Sequence, residues 1–141
     1  VEVGGDLSAF GAPLDAAAWT IGLQDPWREE TLLALTIPPG DSAGICTSGD
    51  YRRYVEIAGA RYSHIVDPRT GEPVAGSPSV TAVAPNAFVA DGWATALSVL
   101  GAEAGLDVVE SEPGLEAIFL TGTAGAPRPV ESSGFRRYRA P

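Results

Sequence analysis

Apolar and polar positions alternate along this chain in short runs, each stopped by glycine, proline or aspartate, which is the pattern of half-buried strands separated by turns. Val1-Glu2-Val3 alternates into a Gly4-Gly5-Asp6 turn and reads as an internal strand, so the sequence is expected to begin inside a longer polypeptide. Trp19 to Leu23 ends at Asp25-Pro26, and Leu32 to Ile37 is stopped by Pro38-Pro39-Gly40. Ile45 to Gly49 leads into Tyr51 to Ile57, and the tight turn Ala58-Gly59-Ala60 returns the chain through Arg61 to Val66, predicting a hairpin closed by Asp67-Pro68-Arg69-Thr70-Gly71. Ser79 to Val83 is rich in β-branched residues and predicts another strand.

The period changes after Pro85. Asn86 suits an N-cap and Gly101 a C-cap, and between them Trp93, Ala96, Leu97 and Leu100 recur at i, i+3, i+4 and i+7, predicting one main helix over about 86–101. A shorter helical piece is expected through Leu106, Val109 and Glu110 to Pro113, then a strand from Leu115 to Leu120. The Gly/Ala/Pro-rich stretch from Gly122 to Pro129 reads as a loop, and Phe135 to Tyr138 as a last edge strand. Many strands beside one dominant helix predict an α+β fold in a single domain, 1–141.

Composition narrows the function classes. The chain has 141 residues, 45 % of them hydrophobic and 19 % charged, enough to bury a core. Its net charge is −9, its nine basic residues are all arginine, and no basic run occurs, which argues against nucleic acid as a partner. No apolar run is long enough to be a transmembrane segment. The single cysteine, Cys46, excludes an internal disulfide and a cysteine-based zinc cluster.

Four segments carry candidate chemistry. Gly4-Gly5-Asp6 offers close backbone approach beside an acid, or is simply a strand-end turn. Thr47-Ser48-Gly49-Asp50-Tyr51-Arg52-Arg53-Tyr54 combines hydroxyls and arginines suited to a phosphate, or is a strand entry with surface arginines. His64 is the only histidine, so any imidazole base in this chain is that residue; a hydrogen-bonded structural histidine is the alternative. Asp91 and Thr95, at i and i+4, place a carboxylate and a hydroxyl roughly 5–6 Å apart on one helix face. That pair suits a hard cation such as Mg²⁺, or else a first-turn acid with a threonine bonding back to the helix backbone.

In this order the four segments, with Tyr62-Ser63-His64-Ile65-Val66-Asp67-Pro68-Arg69-Thr70-Gly71 the most specific, resemble the C-terminal half of the ApbE-type FAD:protein FMN transferases. Val99-Leu100-Gly101, Gly105-Leu106, Phe135 and Tyr138 extend the match over essentially the whole chain. The resemblance implies a T-fold-like α+β domain that uses Mg²⁺ to split FAD and transfers FMN to a Thr or Ser hydroxyl of an acceptor protein. It implies Asp91 and Thr95 as metal ligands, His64 as the base on the acceptor hydroxyl, and Ile65 as a contact to FAD. Ala94 falls where some members carry a second acid. The family's other half, with a lysine-containing segment that this lysine-free chain lacks, supplies further parts of the FAD cleft. The resemblance therefore implies as partner that half or a second copy of the chain, and an extracytoplasmic or membrane-associated location. A non-catalytic flavin- or partner-binding domain and a FAD pyrophosphatase are the competing functions.

Overall fold

The structure, a computed structural model, describes residues 1–49, 54–75 and 78–140. Its centre is a six-stranded antiparallel sheet in the order β1-β2-β5-β8-β9-β10. The strands are β1 (Glu2–Val3), β2 (Asp6–Ala9), β5 (Ala43–Gly49), β8 (Ser79–Ala84), β9 (Glu116–Thr123) and β10 (Ala126–Glu131). Two further pairs stand apart as two-stranded ribbons: β3 (Trp19–Gln24) with β4 (Thr31–Ile37), and β6 (Tyr54–Ile57) with β7 (Ala60–Ser63). The helix α1 (Ala87–Ser111) follows β8, and a 3₁₀ turn, Phe135–Tyr138, closes the chain.

Strand alternation sorts the central sheet into two buried faces. Cys46, Val80, Ala82, Ala84, Ala117 and Phe119 pack toward α1, against Ala90, Ala94, Leu97 and Val109. Ile45, Val83, Ile118 and Leu120 point the other way, onto Leu23, Leu35 and Ile37 of the β3–β4 ribbon and Phe135 of the 3₁₀ turn. Covered on both sides, β8 is buried at every position, so its sequence is a continuous run with no polar-out half. The architecture is helix on sheet on ribbon, as the α+β reading expects.

The side of α1 that meets the sheet is made of small residues. Ala90, Ala94, Leu97, Ser98, Gly105 and Val109 are its buried positions, while Ala96 of the expected apolar stripe is exposed. The helix is seated deeply because Gly44 of β5 has no side chain: a Cβ there would lie 2.0 Å from the Asn86 carbonyl carbon and 2.2 Å from the Ala87 nitrogen. Asn86 caps as expected, its side-chain oxygen accepting from the Val89 amide at 3.0 Å.

Four expectations are corrected. The main helix does not end at 101: Gly101, with φ of 77° and ψ of 174°, breaks it, but helical backbone resumes at once, so the two expected pieces form one kinked element to Ser111. Gly122 to Pro129 is not a loop; β9 runs on to Thr123 and β10 begins at Ala126. Phe135 to Tyr138 is a 3₁₀ turn rather than an edge strand, which puts Phe135 and Tyr138 on one side, with Phe135 fully buried. The return strand of the hairpin is shorter than expected, Ala60–Ser63; its partner is Tyr54–Ile57, and the expected start of that strand, Tyr51 to Arg53, lies outside the described residues.

Candidate functional site

Three elements bring polar side chains to the helix-facing side of the sheet. Asp6 on β2 is the register partner of Cys46 on β5. Cys46, two residues before Ser48, points toward the helix, and its thiol donates to the Ala87 carbonyl at 3.3 Å. Asp91 and Thr95 lie on α1, both exposed, one turn apart. Ser48 and Thr95 meet: their hydroxyl oxygens are 3.0 Å apart. Asp91 begins the second turn of the helix, and the first turn holds no acid. Neither element of the plain helix-end alternative is therefore present, because Thr95 bonds across to the strand. Ala94, where some members carry a second acid, is completely buried against the sheet.

Cys46 reports the electrostatics of this corner. Its thiol is pushed up from an ordinary 9.0 to about 12, first by burial, which the Leu7 amide partly opposes, and then to a lesser degree by the Asp6 carboxylate and least by Asp91. Two acids from different elements thus address one buried sulfur. The thiol is expected to resist Ellman's reagent at pH 8 in the folded protein and to react fully once unfolded in guanidinium. A group whose pKa is raised on folding stabilises the fold below its unfolded value. That contribution should fade as pH rises from about 9 toward 12, which alkaline denaturation of wild type against Cys46→Ala would measure.

The paired hydroxyls of Thr47 and Ser48 do not act together toward a phosphate. They fall on opposite faces of β5, where Thr47 Oγ1 lies 2.8 Å from Thr81 Oγ1 on the neighbouring strand. The arginines of that segment, Arg52 and Arg53, lie outside the described residues.

His64 and Ile65 follow β7 at the base of the outer ribbon. His64 is exposed, while Ile65 is buried at 7 % exposure, its amide donating to Ser63 Oγ at 3.1 Å and its carbonyl accepting from the Val74 amide at 2.9 Å. The next turn is held by Asp67, which accepts from the Arg69 amide at 2.9 Å and pairs with its guanidinium through both carboxylate oxygens. Arg69 holds the Asp67 carboxyl down at about 2, from an ordinary 3.8. A carboxylate whose pKa is depressed stabilises above its unfolded value, so this turn should loosen as pH falls from about 4 to 2. Faster exchange of the Gly71 amide, which donates to the Asp67 carbonyl at 2.8 Å, would report it, and Asp67→Asn should show that faster exchange already at neutral pH.

Concavities lie elsewhere, and one of 230 Å³ is lined by Gly4, Gly5 and Thr47 among others. One of 420 Å³ is lined by Pro38, Asp41, Arg137 and Tyr138 among others, and an apolar one of 380 Å³ lies under Phe10 and Trp19.

The ApbE family model matches residues 1–119 of this chain. The chain belongs to the ApbE family. Among curated relatives, it is 41 % identical to the FAD:protein FMN transferase of Salmonella typhimurium, over all of this chain and 38 % of that protein. It is 38 % identical to the enzyme of the same name from Vibrio cholerae, over 98 % of this chain and 41 % of that protein. Among solved structures, the ApbE protein of Thermotoga maritima superposes with a TM-score of 0.85 at 32 % identity, covering 99 % of this chain and 44 % of that one. The flavin transferase ApbE of Vibrio cholerae gives 0.77 at 35 % identity, covering 97 % and 43 %. This ApbE chain therefore has the family's fold and spans about two fifths of the length of the relatives it matches. Of the site residues expected from the sequence, Asp91 and Thr95 share one exposed helix face, and His64 and Ile65 lie together in the segment that follows β7. Ser48 stands beside Thr95, and its part in that corner was hidden by the phosphate reading of its segment.

Proposed function

We propose that this chain supplies the cation-binding and base-bearing part of an FAD:protein FMN transferase, moving FMN to a Thr or Ser hydroxyl of an acceptor protein. The observation that carries the reading is the exposed pair Asp91 and Thr95, one helical turn apart, in a chain of this family. Their donors are a carboxylate and a hydroxyl, both hard oxygens, and among the described residues no three His, Cys, Asp or Glu side chains are placed to hold a metal ion together. That donor set fits Mg²⁺, which takes few protein oxygens and shares its shell with substrate phosphates, better than it fits zinc. Bound there, the cation would neutralise charge building on the pyrophosphate oxygens of FAD.

The protein's own part is positioning and proton transfer. His64, exposed at the end of β7, accepts the proton of the acceptor hydroxyl as that oxygen attacks the FMN phosphorus. The new oxygen–phosphorus bond replaces the pyrophosphate bond, and AMP leaves with the electrons of the broken bond. Ile65, nearly buried, gives FAD a fixed apolar edge next to the base. Because the chain spans about two fifths of its relatives, the remainder of the FAD cleft is assigned to the family's other half, or to a second copy of the chain. By the same likeness the reaction runs outside the cytoplasm or at a membrane.

The test combines the chain with FAD, Mg²⁺ and a flavinylation acceptor, with and without the upstream half of a relative, and reads in-gel flavin fluorescence on the acceptor. Fluorescence that requires both halves supports the reading. Free FMN and AMP without labelled acceptor would mean a pyrophosphatase, and no turnover with either arrangement would mean a binding domain.

A further inference from the structure

The hydroxyl pair between β5 and α1 gives Ser48 a task, one that rests on the cation reading above. Thr95 sits inside a helix, where a threonine hydroxyl usually donates back to the carbonyl one turn earlier. Ser98 does this in the same helix, donating to the Ala94 carbonyl at 2.8 Å. Thr95 differs, because its oxygen lies 3.0 Å from Ser48 Oγ, a residue 47 positions away on the strand beneath. Ser48 reaches it because strand alternation places Ser48 on the same face as Gly44 and Cys46, and Gly44 lets the helix sit close.

A hydroxyl has one proton and two lone pairs. If Ser48 donates, it occupies one Thr95 lone pair and leaves the Thr95 proton to point outward, toward the space beside Asp91. If Thr95 donates, both of its lone pairs remain for a ligand and no proton faces that space. A divalent cation repels the first arrangement and stabilises the second. We propose that Ser48 is the positioning residue for Thr95: it accepts the Thr95 proton and turns the threonine oxygen outward as a cation ligand beside Asp91. Ser48 thus acts on the cation through Thr95 and not by touching it, as outer groups commonly orient metal ligands.

The probe is Mn²⁺, titrated into the protein and followed by loss of the free-ion EPR signal. Ser48→Ala should weaken Mn²⁺ binding about tenfold, with an unchanged melting temperature, and Ser48→Thr, which keeps the hydroxyl, should restore it. In a Thr95→Val background Ser48→Ala should change nothing further, because the residue it orients is gone. An additive loss in that background would make Ser48 a direct ligand and overturn the proposal. So would a Ser48→Ala protein that binds Mn²⁺ normally, whether or not it melts earlier, while Asp91→Asn and Thr95→Val bind it poorly. If Mn²⁺ does not bind, or binds regardless of Asp91→Asn and Thr95→Val, the cation reading itself falls and this inference falls with it.

Discussion

Replacing Asp91 by asparagine is expected to lower flavin transfer by the reconstituted enzyme roughly 10²–10³-fold while barely moving the melting temperature. The two halves of that expectation have separate causes. Asp91 is exposed and makes no described hydrogen bond or ion pair that holds the helix, so an isosteric change there costs the fold little. The charge is what matters: a neutral amide binds a hard cation far more weakly than a carboxylate, and the transition state then loses its counter-charge. Raising Mg²⁺ should recover part of the loss, which separates weakened metal binding from a misplaced base. The substitution carries its own internal check. Asp91 makes the smallest of the contributions that raise the Cys46 thiol, so Asp91→Asn should bring that pKa down only slightly, burial keeping it well above the ordinary thiol range, measurable by the pH dependence of thiolate absorbance. Full activity in Asp91→Asn would remove the cation from the proposed mechanism.

How much of this was legible beforehand depends on the range over which each feature is decided. The helix start at Asn86 and the break at Gly101 are local, set by one cap and one left-handed glycine, and both stand where the sequence puts them. What local reasoning missed was that a break need not be an end. The buried face of α1 was harder to see, because Ala90, Ala94 and Gly105 give little hydrophobic signal yet are what the sheet requires. Gly122 to Pro129 misled by composition. Pro127 and Pro129 are two apart, so both missing amides fall on one side of β10, and β10 is the sheet's last strand. Proline is tolerated on such an edge, where it also discourages further pairing.

The site divides in the same way. Asp91 and Thr95 are readable as a pair because helical spacing alone puts them on one face. His64 stands out as the sole imidazole. Ser48 beside Thr95, and Asp6 beside Cys46, depend on how β2, β5 and α1 come together, and no spacing rule spans the 47 residues between Ser48 and Thr95. Thr47 and Ser48 show the converse: adjacent hydroxyls look like one binding feature until the strand sends them to opposite faces.

That assembly rests on one glycine, and Gly44→Ala is expected to be strongly destabilising, costing at least about 3 kcal/mol. An added methyl would lie 2.0 Å from the Asn86 carbonyl carbon and 2.2 Å from its oxygen. These are backbone atoms at the start of the helix, so no rotamer change relieves the clash. Either α1 lifts or β5 bends, and both open the core between Cys46, Ala82 and Ala90. At this chain length, a loss of that size lowers the melting temperature by roughly 10 °C or more. Gly92→Ala is the control, because a methyl there meets nothing within 4 Å. In mid-helix that exchange should stabilise by about 0.5–1 kcal/mol. The two alanines predict opposite shifts from the same chemical change. Gly44→Ala should also reduce transfer in whatever fraction stays folded, since the lifted end of the helix carries Asp91 and Thr95 away from Ser48. A Gly44→Ala protein that melts like wild type would show that the helix does not sit as closely on β5 as these distances require.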